Sequence, residues 1–422
     1  MAARQWRVHP AWGVAAVAFV ALIGAAGFRA APGPLMVPLH HELGWSTSVM
    51  SLAVSVNLVL FGLTAPFAAA LMDRFGIRAV TATALVLVAL GAGLSVLATA
   101  SWQLLLTWGL LIGLGTGSMA LVFAATIANR WFVRRRGLVM GILTAGSATG
   151  QLIFLPLVAW LAETVGWQAA SLAIAAGALA VVPLVVLLLR DFPHDLGAAP
   201  YGATADDVPP TRDAGGAARR AVRALRTASR VPAFWALAGA FAICGATTNG
   251  LVGIHFVPSA HDHGMATTTA AGLLAVVGIF DIVGTIASGY LTDRFDPRIL
   301  LAAYYFFRGV GLALLPALLA DSVHPSMVAF VVIYGLDWVA TVPPTSALCR
   351  EIFGDQGTIV FGWVFASHQL GAAAAAFGAG VVRDTVGSYT YAWLAGGALC
   401  VVAAVLSWVV RRAEPATVAA TR

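Results

Sequence analysis

Residues 278–308 read GIFDIVGTIASGYLTDRFDPRILLAAYYFFR. Two apolar runs flank a short charged turn, Asp293-Arg294-Phe295-Asp296-Pro297-Arg298. Each run carries one lone charge, Asp281 before the turn and Arg308 after it. Asp281 precedes Asp293 by twelve residues, and Arg308 follows Arg298 by ten. At about 1.5 Å per helical residue, both charges stand roughly 15–18 Å above the same turn. If the runs cross a bilayer, that is mid-membrane. An unpaired charge there costs on the order of several kcal/mol, so such residues pair or serve a function.

Composition says that the runs do cross one. The 422 residues are 60% hydrophobic and 10% charged, with a mean hydropathy of +0.89. An ordinary soluble domain is about 25% charged. The apolar runs are about 20 residues long and do not alternate in ten-residue segments, which selects helices over a β-barrel. The first, near 11–31, is long enough to span and has no obvious cleavage site, so it reads as a span and not as a removable leader.

Twelve apolar segments are expected, near 11–36, 48–71, 79–99, 102–128, 137–160, 168–189, 232–256, 268–290, 299–319, 326–348, 358–381 and 389–410. This gives an all-α membrane protein of two six-helix pseudo-repeats. Residues 1–190 form one bundle, 191–230 a cytoplasmic linker and 231–422 the other bundle. The linker carries Pro193, Pro200, Pro209, Pro210 and Asp206-Asp207, then Arg219, Arg220, Arg223, Arg226 and Arg230. Its composition fits a flexible connector. Its arginine-rich end also fits a short amphipathic helix on the membrane surface.

The chain has no lysine; all 24 bases are arginine. With the N-terminus inside, the inside loops collect Arg4, Arg7, Arg74, Arg78, Arg130, Arg134, Arg135, Arg136, the linker arginines, Arg294, Arg298, Arg350, Arg411, Arg412 and Arg422. The outside loops hold only Arg383. This bias places both termini in the cytoplasm and the protein in the cell membrane, inner or plasma. It also accounts for a pI near 9.7 without nucleic acid. Cys244, Cys349 and Cys400 each lie in or at the edge of an apolar run, with no metal or disulfide spacing, and read as buried thiols.

Enzyme and pump chemistry find no motif here. Without lysine there is no Gly-Lys-Ser/Thr phosphate loop. There is no His-Glu-x-x-His run and no Gly-x-Ser-x-Gly elbow. No cofactor or metal is expected, and energy must come from an ion or solute gradient.

The two halves repeat. Leu71-Met72-Asp73-Arg74-Phe75-Gly76-Ile77-Arg78 follows the second span, and Leu291-Thr292-Asp293-Arg294-Phe295-Asp296-Pro297-Arg298 follows the eighth. Internal repeats on this scale build many secondary transporters, with the substrate site between the halves. The Asp-Arg-x-Gly-x-Arg turn resembles the signature loop of the major facilitator superfamily. The glycine usual four residues before the acid is kept as Gly289 and replaced by Ala69 in the first copy. Asp296-Pro297 replaces the later glycine in the second copy. The resemblance covers nearly the whole chain. It implies that Asp73, Arg74, Arg78, Asp293, Arg294 and Arg298 are gate parts. They would lock neighbouring helices through charge-assisted bonds in the outward-facing state.

Small residues recur at four-residue spacing: Gly109, Gly113 and Gly117 in the fourth span; Gly137 with Gly141, and Gly146 with Gly150, in the fifth. They read as static close packing or as a sliding surface between helices. Gly33 between Pro32 and Pro34 predicts a kink near the outer side of the first span.

Few polar groups interrupt the spans: Arg29, Asn57, Asn249, Asp281, Arg308, Asp337, His368 and Gln369. The family topology implies that the first, fourth, seventh and tenth spans line the cavity, which suits Arg29, Asn249 and Asp337. Asn57, Asp281, His368 and Gln369 can face it from flanking spans. Arg308 comes from an outer span and is expected to point at Asp281 or Asp337. Asp281 reads either as a fixed partner of Arg308 or as a proton-coupling site, and Asp337 competes for the second role. Arg29 reads as the direct contact for a carboxylate, because its planar fork keeps its charge. Its alternative is snorkelling to the outer interface. His368 beside Gln369 is a relay, a substrate contact or a packed, hydrogen-bonded pair.

A finer resemblance lies in Gly27-Phe28-Arg29 through Pro38-Leu39, Glu42-Leu43-Gly44-Trp45-Ser46 and Asp281. These are similar to the monocarboxylate-transporter and oxalate/formate-antiporter branch. That branch commonly has arginine four residues after the acid; Thr285 stands there in this chain. Arg308 or Arg29 would have to replace it. The resemblance implies a monomeric transporter of a small organic anion, coupled to protons or to a counter-solute. A proton-coupled exporter of hydrophobic or cationic compounds, using Asp281 or Asp337, is the second reading. A non-transporting membrane sensor is the third.

Overall fold

A computed structural model of the chain describes residues 9–119, 121–204 and 216–410. Asp206, Asp207, Pro209, Pro210, Arg4, Arg7, Arg411, Arg412 and Arg422 lie outside the described residues, as do the surroundings of Ala69 and Gly137.

Among the described residues, ten stretches are long and apolar enough to cross a membrane. They are the second (Thr47–Phe75), third (Ile77–Ser95), fourth (Leu105–Trp131), sixth (Trp167–Leu188), seventh (Pro232–Asp262), eighth (Thr267–Thr292), ninth (Pro297–Leu318), tenth (Pro325–Phe353), eleventh (Gly357–Val386) and twelfth (Thr390–Val409) spans. The fifth span is a 29-residue helix, Arg136–Thr164. The first runs from Pro10–Ala26 into Pro32–Leu43. Several spans begin on proline, whose missing N–H costs nothing in a first turn, and several end at glycine. Side chains such as Leu187, Ile286, Val401 and Trp408 are more than half exposed, as lipid-facing residues should be.

Among the described residues, the spans that depart from regular α-helix are the first, fourth, seventh and tenth. The first breaks at Gly27–Ala31 around a single 3-10 turn. The fourth opens with a π-helical stretch, Leu105–Ile112, and turns again at Met119. The seventh is π-helical over Ala246–Val252. The tenth stops at Asp337 and restarts at Val342. A predicted kink at Gly33 thus appears one turn earlier, where Pro32 restarts the helix.

Besides the first span's packing on the seventh, where Gly33 lies against the Ile254 carbonyl, two seams join the halves. The second and eleventh spans pack along their whole length. At one end Asp384 accepts from Thr47 N at 3.2 Å, from Ser48 N at 2.7 Å and from the Ser48 hydroxyl. In the middle the Ser55 hydroxyl donates to the Ala373 carbonyl at 2.7 Å. At the other end Phe67 meets Trp363 edge-on at 6.1 Å. The fifth and eighth spans are joined from one end, where Glu163 accepts from Thr268 N at 2.9 Å, to mid-span, where Leu152 lies against Gly278. Towards the charged turns, Gly141 and Gly289 have no atom of the described residues within 4 Å of where a Cβ would stand. Contact along this seam thus runs from the end away from the turns to mid-span. A short helix of the linker, Ala217–Ala228, lies against the second and eleventh spans near the turn end.

Candidate functional site

The break in the tenth span organises the centre of the second half. Pro343 and Pro344 supply no N–H, so carbonyls one turn earlier lose their helical donors. Neighbouring spans take up the freed groups. The Ser288 hydroxyl donates to the Ala340 carbonyl at 2.5 Å. Arg308 Nη2 donates to the carbonyls of Asp337 at 2.6 Å and Trp338 at 3.3 Å. The Val339 N–H donates to Asp281 Oδ1 at 3.0 Å. In a membrane such groups have no water to fall back on, so these three side chains are what lets the helix stay open.

Arg308 is fully buried and pairs with Asp337, its Nε donating to Oδ2 at 2.6 Å. Its Nη1 points at Cys244 Sγ, 3.0 Å away. Asp281 acts on Arg308 only through space. Its own direct partners are the Val339 N–H and the Thr285 hydroxyl, at 3.0 Å each. Thr285, in the place where the branch usually has arginine, thus orients the acid without neutralising it. Asp337 Oδ1 has no hydrogen-bond partner.

Arg29 sits on the 3-10 turn of the first span, half-buried, its guanidinium 4.8 Å from the centre of the Phe61 ring. It has no ion pair and no hydrogen bond among the described residues. Phe61 reaches across the seam to Phe365 at 6.3 Å. Phe365 stacks on His368 at 5.8 Å, and His368 also meets Phe241 at 4.9 Å. His368 lies within electrostatic reach of both Arg308 and Arg29, and its Nδ1 is buried without a partner. Gln369, one residue on, is fully buried against Gly62, with both amide atoms unpartnered. Asn57 donates to the Trp108 carbonyl at 2.7 Å and so braces the π stretch of the fourth span. Asn249, on the π stretch of the seventh, is half-buried and unbonded among the described residues.

The two charged turns are built differently. Asp73 forms an ion pair with Arg130, whose ring neighbour is Phe192 at 4.7 Å. Arg78 uses its backbone N–H, which Asp191 accepts at 2.9 Å, and Gly76 at φ +87° leaves room for that carboxylate. Arg74 lies over Phe75. In the second turn Asp293 is exposed, Arg294 lies over Tyr290 at 3.5 Å, and Arg298 pairs with Asp296 at 2.7 Å.

Ser288, Arg130, Asp191 and Asp384 bond to the tenth-span break, the first charged turn or the second span, and motif reading gave them no such contact. For Ser288 a signal existed: Val277, Asp281, Gly284 and Ser288 form one helical stripe, and it is this stripe that meets the tenth span. The other three lie at span ends, where loop charge is ordinarily counted for orientation alone.

The Major Facilitator Superfamily model matches residues 18–360 and 249–422. Monocarboxylate transporter 13 of Bos taurus is 31% identical over 355 residues, 83% of this chain and 77% of that protein. The uncharacterized MFS-type transporter YcxA of Bacillus subtilis is 27% identical over 418 residues, 94% of each. A bacterial homologue of the human lysosomal transporter Spinster, solved in an inward-facing, unoccupied conformation, superposes with a TM-score of 0.73. Its identity is 16%, and 98% of this chain and 100% of that one are covered. Twelve spans in two repeats, the first, fourth, seventh and tenth of irregular helix, and these matches agree: the chain belongs to the Major Facilitator Superfamily, is a multi-pass membrane transporter and not an enzyme, and resembles its monocarboxylate branch.

Proposed function

We propose that the chain is a secondary active transporter that moves a small organic anion, a carboxylate, by alternating access, driven by protons or by exchange. In this reading the charged turns and both termini face the cytoplasm, and the conformation described is open to that side. One contrast carries the reading. Arg308 is committed to Asp337 and two carbonyls, whereas Arg29 stands at the break of the first span with neither ion pair nor hydrogen bond among the described residues. A fixed charge with an unoccupied planar fork matches a carboxylate. The monocarboxylate transporters among its relatives support the same class. Asp281 is the coupling acid in this proposal, since Asp337 is held in the buried pair, and Asn249, His368 and Gln369 supply polar contacts.

The test is thermal unfolding of purified protein with mono- and dicarboxylates across pH. A ligand at a hundredfold its Kd stabilises by about 2.7 kcal/mol. The expected result is stabilisation that Arg29→Gln abolishes while the variant unfolds as cooperatively as the parent. No response to any carboxylate, or an equal response in Arg29→Gln, overturns the proposal. Drug resistance lost in Asp281→Asn would then favour the exporter.

A further inference from the structure

The linker helix Ala217–Ala228 has two opposite faces. Ala221, Ala224 and Ala228 are buried against the bundle. Arg219, Arg223, Arg226 and, in the closing turn, Arg230 are all exposed. At 3.6 residues per turn these four fall within about 60° of one another, on the side away from the alanines. Residues 217–230 contain no acid.

The helix also sits at a definite level. The Ala221 carbonyl accepts from Trp363 Nε1 at 2.8 Å. Trp363 is six residues into the eleventh span, about 9 Å from its start. Trp235, three residues into the seventh span and 61% exposed, donates from Nε1 to the Ser229 carbonyl at 2.8 Å. Indoles so placed mark the headgroup level of a membrane. The arginine stripe therefore projects from the bundle where lipid headgroups begin, and each base near such a surface adds about fivefold to anionic-lipid affinity.

We propose that Arg219, Arg223, Arg226 and Arg230 form a docking surface for anionic phospholipid headgroups. The helix touches the second span and the eleventh, which belong to different halves. Lipid held there straps the continuous seam at the turn end, so that opening proceeds along the fifth and eighth spans. The sign of the charge, the absence of acids and the depth set by the two tryptophans all select lipid over a soluble acidic partner.

The experiment uses the full chain in nanodiscs, with a polarity-sensitive dye on Val222→Cys. Val222 is 51% exposed on this helix, and the native cysteines are buried, so labelling is selective. Phosphatidylglycerol is titrated into phosphatidylcholine discs. The expected result is a saturable dye response that salt weakens. Replacing the four arginines by glutamine shifts the midpoint by about fivefold per residue. Replacement by lysine keeps the response. Absence of a phosphatidylglycerol response in the parent overturns the proposal, as does an unshifted midpoint in the glutamine variant. A response to soluble polyglutamate in neutral discs, with none to phosphatidylglycerol, overturns it in favour of an acidic protein partner.

Discussion

Arg308 Nε donates to Asp337 Oδ2 at 2.6 Å from one span to the next, with 1% and 7% of the two residues exposed. Both charges are out of water, so each is tolerated only because of the other. Arg308→Leu or Asp337→Leu alone should cost about 3–5 kcal/mol. In thermal unfolding the double variant should cost clearly less than the two single losses summed, the remainder being the carbonyls of Asp337 and Trp338 that Arg308 also serves. If the two single costs simply add, the pair is not the reason either charge is tolerated.

Ser288 caps the carbonyl that Pro344 leaves without a donor. Ser288→Ala should therefore cost about 1–3 kcal/mol, the price of an unpaired buried carbonyl. Pro344→Ala restores a backbone N–H to the same carbonyl. In the double variant the loss of Ser288 should be nearly silent, which a double-mutant cycle on unfolding midpoints measures directly.

The two charged turns share a motif and differ in wiring. Asp73 neutralises the buried Arg130, while Asp293 is exposed. Asp73→Asn should destabilise by about 1.5–3 kcal/mol. Asp293→Asn should stay within about 0.5 kcal/mol of the parent. Equal effects would mean that the turns are interchangeable.

At Gly62 an added Cβ would stand 2.7 Å from the Cβ of Gln369. Gly62→Ala should force the continuous seam apart at a cost of about 1–3 kcal/mol, and Gln369→Gly should relieve it. Gly141→Ala, in open space, should be neutral or slightly stabilising in the same assay.

Sequence carried the number, length and pairing of spans, because hydropathy runs and the repeated turn are one-dimensional signals. It listed the polar residues of the spans and left two partners open for Arg308, of which the structure pairs it with Asp337. Asp281 and Arg308 stand at equal height above one turn, yet height fixes depth and not direction. Arg308 belongs to the buried stripe Leu301, Tyr305, Arg308 and Leu312, which aims it at the tenth span. Pro343-Pro344 account for the break in the tenth helix once it is seen, and the groups it frees are met by residues from the eighth and ninth spans, fixed only by packing. The π stretch Ala246–Val252 has no comparable signal, since its threonines bond back to their own helix.

Cys244 lies against this clamp, its sulfur 3.0 Å from Arg308 Nη1 and 3.2 Å from Thr341 Oγ1. A thiol stretch falls in an otherwise empty part of the infrared spectrum and responds to the bonds the sulfur makes. A rearrangement of the tenth-span break that moves Arg308 or Thr341 changes those bonds. The chain thus contains its own vibrational label for the hinge, readable in the unmodified protein as ligand or pH is varied.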